Sequence, residues 1–63
     1  MPSDEIIIET QRIGNILRVA AVDVATATEV VFQAPTTATR AAIERLAASK
    51  LRYVLAKGAT PKP

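Results

Sequence analysis

The sequence predicts an α+β domain of order β-β-β-α: a three-stranded antiparallel meander with one C-terminal α-helix packed on one face. Three observations lead there. The stretch 5–23 alternates about a central Gly14-Asn15 pair, as a hairpin does. A second strand-like segment, 28–34, stops at Pro35. From Arg40 onward the apolar spacing becomes helical and ends before Gly58.

The first strand is expected over residues 5–13, where Ile6-Ile7-Ile8 is β-branched and suits a pleated surface. Gly14-Asn15 suits a two-residue type II′ turn, with glycine at positive φ in the first central position. The second strand is then 16–23. This turn sets Ile13 opposite Ile16, Arg12 opposite Leu17, Thr10 opposite Val19 and Ile8 opposite Ala21. One face then carries Ile6, Ile8, Thr10, Leu17, Val19 and Ala21. That face is mostly apolar, so turn chemistry and face parity agree.

Val24-Ala25-Thr26-Ala27 reads as the second loop, with Asp23 and Thr26 placed to bond nearby amides. Glycine would suit position 27 better if φ is positive there. The third strand follows over 28–34, pairing Val30 with Ala21 and Phe32 with Val19 on the core face. Residues 36–39 are a linker, and Thr39 is the favoured N-cap because the amphipathic pattern starts directly after it. The helix is expected over 40–57, with Lys57 in its last turn and Gly58 as the C′ residue. Residues 1–58 form a single domain, and 59–63, with two prolines, a disordered tail.

A chain of 63 residues is small for a self-sufficient core. The usual supports are disulfides, metals or oligomerisation. The sequence has no cysteine and no histidine, so the first is excluded and the second loses its commonest zinc ligand. A hydrophobic content of 49% is too high for a disordered chain. Oligomerisation is the remaining support.

The apolar residues also exceed what one helix on one sheet face covers. Ile43, Leu46, Ala47, Leu51, Val54 and Leu55 share a helix side, and Tyr53 widens the arc to about 200° at roughly 100° per residue. A helix on a sheet needs about half of that. The outer sheet face carries Ile7, Ala20, Val22 and Val31, beside Ile13 and Ile16. The candidate interface is therefore Ile7, Ala20, Val22, Val31, Leu46 and Tyr53.

Chemistry is sparse. With neither histidine nor cysteine, the commonest base and nucleophiles are missing. The glycines, Gly14 and Gly58, are too far apart to cradle a phosphate. No catalytic, cofactor or metal residue is assigned, and an enzyme is not expected. Lys50 falls inside the apolar arc between Leu46 and Leu51. It reads as a lysine snorkelling from the core edge, with Asp23 as its candidate ion-pair partner and Glu29 nearby.

Charge divides along the chain. Asp4, Glu5, Glu9, Asp23 and Glu29 lie in the strand half, and Arg40, Arg45, Lys50, Arg52, Lys57 and Lys62 in the helix half. A rival reading is nucleic-acid binding through Arg40, Arg45, Arg52, Lys57 and Arg18. Glu9 and Glu29 share the outer face with Arg18, and no aromatic there can stack on bases. No apolar run reaches the roughly 18 residues of a membrane span. The acidic start, Met1-Pro2-Ser3-Asp4-Glu5, lacks a signal peptide's basic region. A cytoplasmic protein that binds itself or another protein is expected.

Ile13-Gly14-Asn15, Val19-Ala20-Ala21-Val22-Asp23, Thr26, Glu29-Val30 and Lys50-Leu51-Arg52-Tyr53-Val54-Leu55-Ala56-Lys57 resemble a family of very short, uncharacterised alphaproteobacterial proteins. The pattern spans nearly the whole chain. The family's second loop tends to read Asp-Pro-x-Thr-Gly, where this chain has Val24 and Ala27 in place of proline and glycine. The resemblance implies one bacterial domain with a looser second loop, and contributes no catalytic residue.

Overall fold

A computed structural model describes residues 5–58. Strands β1 (Ile6–Ile13), β2 (Ile16–Asp23) and β3 (Thr28–Pro35) form one antiparallel sheet in that order, and helix α1 (Arg40–Ala56) follows. The architecture is β-β-β-α, as the sequence predicts. β1 begins one residue later than expected, β3 includes Pro35, and α1 ends at Ala56 with Lys57 as its C-cap. The tail expected over 59–63 lies outside the described residues.

The first turn explains the register. Gly14 has φ +62°, and Asn15 is not in the left-handed region, the sign pattern of a type II′ turn. Ile13 faces Ile16, Thr10 faces Val19 and Ile8 faces Ala21. Ala21 faces Val30 and Val19 faces Phe32 across the second pair. Every partner agrees with the register expected from Gly14-Asn15.

The second turn is held by Asp23. Its carboxylate accepts from the Thr26 hydroxyl at 2.6 Å and from the Thr26 amide at 3.2 Å. Ala27 then takes φ 58°, a left-handed conformation. A Cβ there crowds the following carbonyl, which costs about 1–2 kcal/mol.

The helix starts where Thr39 Oγ1 accepts from the Ala42 amide at 3.0 Å, which satisfies one orphan donor of the first turn. It stops at Gly58, whose φ of +59° turns the chain out of the helix. In between, Ile43, Ala47 and Leu51 are buried against the sheet. Two clusters result. Val19, Ala34 and Ile43 pack with Ile8, Leu17, Phe32 and Ala38. Ala21, Ala47 and Leu51 pack with Ile6, Ile8, Val30 and Phe32. The helix lies chiefly over β2 and β3. Thr10 has core-face parity but stays exposed on the strand farthest from where the helix chiefly lies.

Two substitutions probe this frame. Ala27→Gly relieves the left-handed Cβ and loses part of the gain to chain entropy. It is expected to raise stability by about 0.5–1 kcal/mol in urea denaturation. Ala47→Leu forces the helix off Ala21 and is expected to lower stability by about 1–3 kcal/mol. Ala41→Leu, on the exposed side of α1, is the control and should stay within about 0.5 kcal/mol of the parent.

Candidate functional site

The described core is thin. Its buried hydrophobics are Val19, Ala21, Ala34, Ile43, Ala47 and Leu51, half of them alanines. Several large hydrophobics stay at the surface: Ile7 and Val31 are each 49% exposed, Leu46 is 41% exposed and Tyr53 is 64% exposed. Ile13, Val24 and Leu55 are exposed as well.

On the outer sheet face Ile7 stands opposite Val22, and Ala20 opposite Val31. These four make a stripe running obliquely across the sheet to the β3 edge. Glu9 faces Ala20 and Glu29 faces Val22, so a carboxylate borders the stripe on each side. The row Gln11, Arg18, Gln33 separates it from Ile13 and Ile16. Ala20 and Val22 are half-buried, and Ile7 and Val31 carry most of the exposure.

The helix leaves an open groove on each flank. Toward β3, about 440 Å³ is lined by Val30, Val31, Leu46, Lys50, Tyr53 and Val54, with Ser49 at the rim. Toward β1, about 480 Å³ is lined by Ile6, Asp23, Leu51, Arg52 and Leu55, with small alanines between. Val31 belongs to the outer stripe and also lines the β3 groove. The two apolar surfaces expected from the sequence therefore meet at one residue on one sheet edge. Sequence reading missed Val30, Ser49 and Val54 as groove residues, because helical periodicity does not say toward which strand a helix leans.

The β3 edge is also open in its backbone. The Val24 amide donates to the Glu5 carbonyl at 3.2 Å. Antiparallel bonded pairs recur at every second residue, so Ile7, Glu9, Gln11 and Ile13 bond to β2. Leu17, Val19, Ala21 and Asp23 consequently bond to β3, at Ala34, Phe32, Val30 and Thr28. Glu29, Val31 and Gln33 turn their amides and carbonyls outward. Pro35 follows at the next outward position, where its missing N–H costs no bond within the sheet.

The candidate Lys50–Asp23 ion pair is not made. Asp23 is committed to Thr26, and Lys50 Nζ lies over the Phe32 ring, 5.4 Å from its centroid. The two residues line opposite grooves. Lys50 is exposed, so its ammonium lies over the Phe32 face while still open to water. A double-mutant cycle of Asp23→Ala and Lys50→Ala is expected to give a coupling below about 0.3 kcal/mol. Asp23→Ala alone should cost about 1 kcal/mol through the lost Thr26 contacts.

Among the described residues the basic side chains do not form one surface. Arg18 lies on the outer sheet face, Arg45 is exposed on the helix, and Arg52 lines the groove toward β1. Arg40 pairs with Glu44 at 3.1 Å. Lys57 Nζ sits over Tyr53, 5.2 Å from the ring centroid. Among the described residues no three carboxylates gather as a metal site, and no helix is long and apolar enough to cross a membrane.

No curated protein and no solved structure matches the chain. A family model, a domain of unknown function (DUF6898), matches residues 3–58, so the chain belongs to that family.

Proposed function

We propose that this protein is a small interaction module that acts by binding and self-associates as a homodimer. The observation that carries the reading is the apolar surface around the β3 edge, set against a buried core that is half alanine. A domain this small buries only about 60% of its unfolded surface. Further burial against a partner adds stability at about 25 cal/mol per Å² of apolar area. A second copy is the partner present wherever the chain is made. The absence of histidine and cysteine supports binding over catalysis. The reading includes a cytoplasmic location and an alphaproteobacterial source, both taken from the sequence and its resemblance.

Sedimentation equilibrium is the test. The chain, 6.7 kDa as a monomer, is expected to weigh twice that across the micromolar range and to dissociate on dilution. A monomer at about 500 μM overturns the homodimer, since binding weaker than that is worth under about 4.5 kcal/mol.

A further inference from the structure

We propose that the open edge of β3 is the self-association site, where it pairs antiparallel with β3 of a second copy about a two-fold axis at Val31. This rests on the self-association reading and adds to it the strand, the register and the helix flank.

The outward backbone groups select the register. With Val31 opposite the second copy's Val31, Glu29 stands opposite Gln33 and Gln33 opposite Glu29. Every outward amide and carbonyl of Glu29, Val31 and Gln33 then finds a partner. Within the paired strands no like charges oppose, and each carboxylate meets an amide side chain across the strands. Displacing the strands toward Glu29 brings the two carboxylates together or runs the pairing into the Ala27 turn. Displacing them toward Gln33 brings Pro35, which has no N–H, into the ladder.

The helix flank fits the same axis. The groove that contains Val30 and Val31 is lined on the helix by Leu46, Ser49, Lys50, Tyr53 and Val54. The middle of that run is Ser49 and Lys50, and Lys50 lies over Phe32, the chain neighbour of Val31. A two-fold there sets Leu46 of each copy beside Tyr53 of the other. Neighbouring strands lie about 4.8 Å apart. A helix over the β2–β3 gap thus stands about 5 Å from the axis, and the two helices about 10 Å from each other, which is packing distance. Small Ser49 at the centre permits that approach. The product is a six-stranded sheet with both helices on one face, and it covers the flanks of Val31, Leu46 and Tyr53.

The β1 edge is a weaker competitor. Thr10 and Arg12 are among its outward positions, and charged Asp23 and Arg52 line its groove. Such charges commonly protect an edge from pairing.

The test uses the full chain, made by chemical synthesis with one methylated backbone nitrogen. Methylation at Val31 removes an edge donor and blocks strand approach without touching a bond inside the sheet. It is expected to weaken dimerisation at least about 100-fold by sedimentation, with far-UV circular dichroism unchanged. Methylation at Ile8, on the β1 edge, and the substitution Ile7→Lys, on the outer face, should leave the dimer intact. A dimer that survives methylation at Val31, or that dissociates only with the Ile8 or Ile7 change, overturns the β3 site and leaves self-association standing. A monomeric parent overturns both. Should the Val31-methylated chain fail to fold, hydrogen exchange on the parent decides. Protection of the Glu29, Val31 and Gln33 amides must rise with protein concentration, and exchange independent of concentration overturns the site.

Discussion

The fold depends on the contact between two alanines. Ala21 in the second half of β2 and Ala47 in the middle of α1 are both wholly inaccessible to solvent and share one cluster. Small side chains at a helix–sheet contact let the backbones come close. Close approach lets Ile43 and Leu51, on either side of Ala47, reach the sheet. The same choice has a consequence for volume. Alanine fills little space, so the core gains tightness and gives up buried area. Other large aliphatics are left to the margins, at Leu46, Val31 and Ile7.

Much of the frame was legible because local rules and the hydrophobic pattern agree. Gly14-Asn15 and the alternation of Ile6, Ile8, Leu17 and Val19 point to one register, and a slip of one residue would have turned that set to solvent. Thr39 and Gly58 mark the helix ends through side-chain and backbone chemistry that needs no tertiary context. Ala27 was legible in a conditional sense: glycine suits position 27 if φ is positive there, and φ is 58°.

What was not legible depends on where the helix sits. An angular position on a helix says that Lys50 borders the core, but not which flank it borders. The lean of α1 toward β3 carries Lys50 to Phe32 and away from Asp23. Asp23, moreover, was already needed by its own turn, a local claim stronger than a distant lysine. The joining of the outer stripe to the helix flank at Val31 has the same origin. Each surface is visible in the sequence, and their common boundary exists only in three dimensions.

Pro35 and Ala27 give the third strand a further property. One lacks a donor and the other bends the chain, and between them lies a short window of free backbone. That window acts as a ruler. Any extended segment laid along it, from whatever source, is measured between two stops and can gain nothing by being longer. An aliphatic sheet edge is ordinarily an invitation to open-ended growth; here its length is limited by the two residues at its ends.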